Sequence, residues 1–272
     1  MSHINKKKEW QDYAKVWGYF QSPWVPSSER IRIYGKLIKK YSKGREALLL
    51  GATPAIRDLL AKLKFRVTVV DISPLMIKAM SSLRKMKSRE KVIIANWLTI
   101  RLNKKFDLII GDTVINNLHP KEYVRFFRRI RNFLQDDGVF INQSVVLTKH
   151  VNKIKITIDK IIGKLKKDPK YYENYLNSAY DYLEWSCGHA KNHLIDWSTL
   201  EREYQKRLEK SEISPAEFRL LSSGFKTLRI SFYPEKKLEK IMSKYWRIIE
   251  KRHEKNHQVH RDFYRIYVLK KR

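Results

Sequence analysis

Between residues 45 and 146 the chain repeats one pattern: a short apolar run with no polar alternation, then a turn, then an amphipathic stretch of helical period. The runs fall at 47–50, 67–70, 92–95, 106–110 and 139–145. A strand that buries one face alternates apolar and polar residues. Runs without alternation are buried on both faces, as in a parallel sheet covered by helices. The intervening stretches supply such helices. Ile56, Leu59, Leu60 and Leu63 share one face over 54–64, and Met76, Ile77, Met80 and Leu83 share one over 74–86. Each helix opens on a hydroxyl and a proline, Thr53-Pro54 and Ser73-Pro74, an N-cap followed by a first residue whose missing N–H costs nothing. The pattern predicts a doubly wound α/β fold.

In such a sheet ligands sit beyond the carboxyl ends of the strands, so the residues just after each run are the informative ones. Run one is followed by Gly51-Ala52-Thr53-Pro54, a turn at a helix N-terminus whose N–H groups and dipole favour an anion. Asp71 follows run two, about twenty residues after Gly51, the position from which a carboxylate accepts both hydroxyls of a ribose. Asn96-Trp97 follows run three, an amide beside a flat ring that suits an adenine edge and face. Gly111-Asp112 follows run four and puts a carboxylate beside the same cleft. A nicotinamide-binding Gly-x-Gly-x-x-Gly is absent, because Gly51 is followed by no second or third glycine in that spacing.

Composition excludes more than it selects. No apolar run approaches the ~20 residues of a membrane span, and the basic N-terminus has no secretory h-region. The single cysteine, Cys187, rules out an internal disulfide and a thiolate zinc cluster, which fits a reducing cytoplasm. The formal charge is +30, yet it is spread over residues 1–44, 45–150 and 151–272 as +7, +11 and +12. Such uniformity describes a biased composition as well as a nucleic-acid groove. Two local clusters stand out: Arg84, Lys85, Lys87, Arg89 and Lys91, and Lys121, Arg125, Arg128 and Arg129.

The sequence resembles the class I S-adenosylmethionine-dependent methyltransferases. The likeness rests on Leu48-Leu49-Leu50-Gly51-Ala52-Thr53-Pro54, Val69-Val70-Asp71-Ile72-Ser73-Pro74-Leu75-Met76, Asn96-Trp97, Phe106-Asp107-Leu108-Ile109-Ile110-Gly111-Asp112, and Leu134-Gln135-Asp136-Asp137-Gly138. It departs from the family where Leu50 replaces the usual acidic residue of the first motif. The resemblance implies a mostly parallel seven-stranded sheet and S-adenosylmethionine as cofactor. It implies that Gly51, Ala52 and Thr53 cradle the methionine part, that Asp71 holds the ribose, and that Ile72 and Trp97 flank the adenine. It further implies that Asn96 meets the adenine amino group and Asp112 the methionine amine, with Met76 also among the cofactor-binding residues.

Around the core at 45–146 the expected organisation is an N-terminal helical lid over 1–44, a helical insertion after strand five over 147–213, and a C-terminal part of the core over 214–272. In the lid, Ile31, Tyr34, Ile38 and Tyr41 share one helical face behind Trp10, Tyr13 and Trp17. The insertion is expected to cap the acceptor, with Tyr171, Tyr180, Trp185, His189, His193 and Trp197 as candidate lining residues. The last segment reads as a capped helix from Ser214, a strand over 226–232, a long helix within 234–260 (Leu238, Ile241, Met242, Tyr245, Ile248) and a final strand over 263–269.

Methyl transfer needs positioning, and a base only if the acceptor must lose a proton. The catalytic candidates near strand four are Asp112, Asn116, Asn117 and His119. No metal site is predicted. The expected activity is methylation of an O or N nucleophile of a small molecule. An RNA acceptor is the first alternative, and a non-catalytic nucleic-acid-binding protein with a degenerate fold of this kind is the second.

Overall fold

A computed structural model describes residues 10–11, 14, 17, 25–148, 156–173, 181, 185, 194–222, 229–255 and 263–272. Tyr13, Tyr180, His189 and His193 lie outside them. The chain forms two compact units, residues 1–146 with 235–272, and residues 147–234.

The first unit holds α1 (Ser28–Tyr41), β1 (Glu46–Leu50), α2 (Pro54–Lys62), β2 (Arg66–Asp71), α3 (Pro74–Ser82), β3 (Glu90–Ile94), β4 (Phe106–Asp112), α4 (Tyr123–Phe133) and β5 (Leu134–Leu147). Seven strands follow one another in the order β3-β2-β1-β4-β5-β10-β9, where β9 is Trp246–Arg252 and β10 is Tyr264–Lys271. The five strands of the repeating pattern pair in parallel. β10 runs antiparallel between β5 and β9. Strand order reverses between β1 and β4, which puts the ligand-binding crevice at their carboxyl ends. The inner strands are buried throughout, Leu48, Leu49, Leu50, Val69, Val70, Ile109 and Ile110 among them.

Two features of the last segment differ from the sequence expectation. Of the strand expected over 226–232, the described residues 229–232 do not join the main sheet. There β7 (Arg229–Ser231) pairs antiparallel with β6 (Leu194–Asp196), and both belong to the second unit. The helix within 234–260 is also shorter, α9 (Glu235–Met242), and the chain turns at Tyr245 into β9. The cause is Trp246, fully buried with its ring 5.6 Å from that of Phe140. Anchored there, β9 covers the edge that β10 would otherwise leave open.

The second unit contains α5 (Ile158–Lys167), α6 (Pro169–Glu173), α7 (Trp197–Glu209), α8 (Pro215–Leu221) and a two-residue strand β8 (Tyr233–Pro234), besides β6 and β7. The capped helix read from Ser214 is α8, with Ser214 and Glu217 forming its reciprocal cap, and it lies here, outside the core's C-terminal part. Buried Asp181 organises this unit by accepting hydrogen bonds from Lys164 and Tyr172. Trp185 is buried and Tyr171 partly exposed.

Candidate active site

The site is built at the carboxyl ends of β1, β2, β3 and β4. Gly51 leaves β1 with φ +88°, a left-handed conformation that glycine adopts without strain. Its N–H donates to the Val70 carbonyl (2.8 Å), which also accepts from the Trp97 indole N–H (2.9 Å). The Trp97 ring is thereby fastened beside the Gly51 turn, where a Cβ on Gly51 would lie 3.8 Å from Trp97 Cζ2.

Asp71 closes the other side of the turn. One carboxylate oxygen accepts from the Ala52 N–H (3.1 Å) and the other from the Ser73 N–H (2.9 Å). Burial pushes its pKa up to about 6, against the lowering pull of the Ser73, Ala52 and Ile72 N–H groups.

The two helix openings that look alike in sequence differ here. Ser73 Oγ accepts from the Met76 N–H and caps α3. Thr53, the N-cap residue of α2, makes no side-chain cap bond. The hydroxyl expected to cap α2 therefore leaves that helix terminus available to an anionic group. Ile72 is half-buried, Met76 is buried inside α3, and Asn96 is exposed with its Oδ1 accepting from the Leu98 N–H (2.8 Å).

The end of β4 is organised by residues that motif reading passed over. Asp112 accepts from Arg30 Nη1 (3.1 Å) and from the Tyr34 hydroxyl (2.5 Å), both on α1. Arg30 Nε also donates to Glu254, just after β9, and Glu254 accepts from Ser27 Oγ (2.7 Å). Arg30, Asp112 and Glu254 are buried, and the guanidinium lies over the Tyr264 ring, 5.2 Å from its centroid. Burial alone would lower the Arg30 pKa, but Asp112, Tyr34 and Glu254 outweigh it and raise the pKa. Burial and the Asp112 carboxylate likewise raise that of Tyr34. The cluster sets one guanidinium between two carboxyl groups, and Arg30 Nη2 is buried without a hydrogen-bond partner among the described residues. The inner stripe of α1 is Arg30, Tyr34, Leu37 and Ile38, so it includes an arginine where the sequence reading placed Ile31. An arginine four residues before a tyrosine on that stripe was the available signal.

Three catalytic candidates are committed elsewhere. Asn116 is buried, donates to the Val145 carbonyl (2.7 Å) and accepts from the Val145 N–H (2.9 Å), which braces the chain after β4 against β5. Asn117 donates to the Thr113 carbonyl (3.0 Å). His119 accepts from the Lys121 N–H through Nδ1 (3.1 Å) within a reciprocal cap completed by Glu122. Thr113, whose carbonyl Asn117 bonds, sits at φ +59°, a strained conformation for a β-branched residue beside Asp112. A further polar side chain at this strand end is Gln143. It pairs in register with Asp112 and so shares its face of the sheet, and it is fully buried with both amide atoms unpartnered among the described residues. No group of three or more potential metal ligands occurs among the described residues.

A family model described as a methyltransferase domain matches residues 53–221. The chain belongs to the S-adenosylmethionine-dependent class I methyltransferases. No curated relative matches the sequence. Among solved structures the fold is similar to the CcbJ methyltransferase of Streptomyces caelestis, with TM-score 0.59, 11% identity, and 95% of this chain and 96% of that chain covered. It is similar to an S-adenosylmethionine-dependent methyltransferase of Clostridium acetobutylicum, with TM-score 0.57, 13% identity, and 96% and 98% covered. It is also similar to the N-methyltransferase NodS of Bradyrhizobium japonicum in complex with S-adenosylhomocysteine, with TM-score 0.54, 12% identity, and 96% and 97% covered. The protein is thus an S-adenosylmethionine-dependent methyltransferase. No helix among the described residues is long and apolar enough to cross a membrane.

Proposed function

We propose that the protein methylates an O or N nucleophile of a small molecule, with its cofactor lying across the ends of β1, β2 and β4. The observation that carries the cofactor placement is Asp71, a buried carboxylate touched by backbone N–H groups and, among the described residues, by no cation. Such a group gains from neutral hydroxyl donors, and ribose offers two. Gly51, Ala52 and Thr53 would hold the methionine part against the uncapped terminus of α2. Ile72 and Trp97 would flank the adenine, with Asn96 at its edge and Met76 supporting the strand end from below. Asp112 suits an ammonium, and Arg30 Nη2 supplies a donor for the neighbouring carboxylate. When bound, the cofactor presents an electrophilic methyl group on a sulfonium, so the chain's task is to aim the acceptor in line.

Gln143 takes over on the acceptor side the part first given to Asn116, Asn117 and His119. Its carboxamide offers one donor pair and one acceptor, which fits a polar acceptor group rather than a bare apolar one. The names of two neighbours, the N-methyltransferase NodS and the glycopeptide N-methyltransferase MtfA, favour acceptors other than RNA. The basic clusters add little to an RNA reading. Arg84 pairs with Asp58 and Glu90, Arg129 donates to the Ile100 carbonyl, and Arg128 lies over Tyr245.

Calorimetry with S-adenosylhomocysteine near pH 6, in two buffers of different ionisation heat, tests the cofactor side. Hydroxyls donating to Asp71 lower its pKa, so binding should release up to about half a proton. Asp71→Asn should abolish the release, and absence of binding by the unaltered protein would overturn the reading. Transfer of a labelled methyl group, assayed on amines and hydroxy compounds beside bulk tRNA, tests the acceptor. Labelling confined to tRNA would replace the small molecule with RNA.

A further inference from the structure

Among the described residues, five of the six large apolar side chains that stand open to solvent come from residues 75–94: Leu75, Leu83, Met86, Val92 and Ile94. Val92 and Ile94 belong to β3, which ends the sheet and has β2 as its neighbour on one side. The Ala95 N–H donates to the Asp71 carbonyl (2.9 Å). By the two-residue period of a strand, the amides of Lys91 and Ile93 turn the same way, toward β2. Those of Val92 and Ile94 therefore face the open edge.

The two sides of this edge differ in chemistry. Glu90 shares the side of Val92 and Ile94 and is paired there with Arg57 of α2 and with Arg84, so this is the side that the helices cover incompletely. Arg89, Lys91 and Ile93 take the opposite side. The connection from β3 to β4 forms no helix, and a groove of about 680 Å³ opens there, lined by residues that include Arg66, Arg89, Lys91, Ile93, Lys104 and Phe106. Glu90 is the one acidic residue between positions 72 and 97, and its carboxylate is buried in its ion pairs. Lys78, Lys85, Lys87, Arg89 and Lys91 are exposed.

We propose that the open edge of β3 docks an extended segment of another protein, one whose side chains alternate apolar and acidic. Strand addition satisfies the outward N–H and C=O groups of Val92 and Ile94, apolar side chains meet those residues, and acidic ones meet Arg89 and Lys91. A nucleic acid fits less well, because the exposed apolar groups here are aliphatic and offer no stacking surface. A second copy fits less well too, since its own Arg89 and Lys91 add positive charge to a basic edge where a partner should supply acidic groups.

The probe is a 12-residue peptide alternating valine and glutamate, added to the full chain and followed by residue-resolved amide hydrogen exchange. The expected result is at least tenfold slower exchange at Val92 and Ile94. Val92→Pro deletes an outward N–H at a position where an edge strand tolerates proline. It should weaken binding tenfold or more. Arg89→Glu with Lys91→Glu leaves the backbone intact and should do the same, with circular dichroism checking the fold of both variants. Unchanged exchange at Val92 and Ile94 would overturn the proposal, as would equal binding of a peptide with its valines and glutamates in two blocks. Protection of those amides by polyuridylate that survives Val92→Pro would assign the surface to RNA. Protection that rises with protein concentration in the absence of peptide would assign it to a second copy.

Discussion

The ends of β2 and β4 each present a buried aspartate to the same crevice, and the two are held in opposite ways. Among the described residues, Asp71 has only backbone N–H groups bonded to its oxygens, and its pKa is pushed up to about 6. Asp112 is locked to a guanidinium and a phenol from α1. A carboxylate without a cation is responsive: it awaits neutral donors and titrates within reach of neutral pH. A carboxylate within an ion-pair cluster is fixed in position by its partners. One crevice therefore contains an adjustable anchor and a rigid one.

Breaking the rigid anchor should have the largest effect. Arg30→Met leaves Asp112 and Glu254 buried without their cation, and loss of one partner of such a pair costs about 3–5 kcal/mol. Urea unfolding should show that loss. A loss below about 1 kcal/mol would mean that the cluster is solvated and that the contrast with Asp71 fails.

The responsive anchor is next. Its folded pKa of about 6 lies above the ordinary value of 3.8, so the native state binds the proton more tightly than the unfolded chain. The resulting stabilisation is complete below about pH 3.8 and is lost as pH rises through about 6, roughly 3 kcal/mol in all. Other carboxylates act in the opposite sense. Glu250, held by Lys40 and Tyr41, has its pKa lowered to about 2. The measurement is accordingly the difference between the unaltered protein and Asp71→Asn from pH 4 to pH 7. A flat difference would remove the titration from Asp71.

The smallest effect separates the two helix openings. Ser73→Ala deletes the cap of α3 and should cost about 1 kcal/mol, whereas Thr53→Ala deletes a hydroxyl that caps nothing and should stay within about 0.5 kcal/mol. If Thr53 serves the cofactor, its replacement weakens S-adenosylhomocysteine binding while leaving the urea midpoint in place.

The sequence disclosed the parallel half of the sheet because burial on both faces leaves unbroken apolar runs such as Leu48-Leu49-Leu50 and Val69-Val70. It concealed β9, whose residues after Trp246 are partly exposed and whose Ile248 continues the helical spacing set by Leu238, Met242 and Tyr245. Only the pairing with β10 decides for a strand. The turn at Gly51 and the carboxylate at Asp71 were legible because local backbone geometry demands those residue types. Arg30 and Glu254 were not, since a pair 224 positions apart leaves no local trace. Asn116, Asn117 and His119 were ambiguous for a related reason. Polar residues after a strand serve an acceptor or the local backbone, and here Asn116 bonds the Val145 backbone, Asn117 the Thr113 carbonyl and His119 the Lys121 N–H.

The Arg30–Glu254 contact also bears on the order of assembly during synthesis. The helix carrying Arg30 is made early, but its charged partner lies after β9, near the end of the chain. Until that stretch has left the ribosome, Arg30 has Asp112 as its only carboxylate partner in the cluster, and α1 lacks its second tether. A helix made early should thus be among the last to settle, so that the crevice becomes competent late, after most of the sheet has formed.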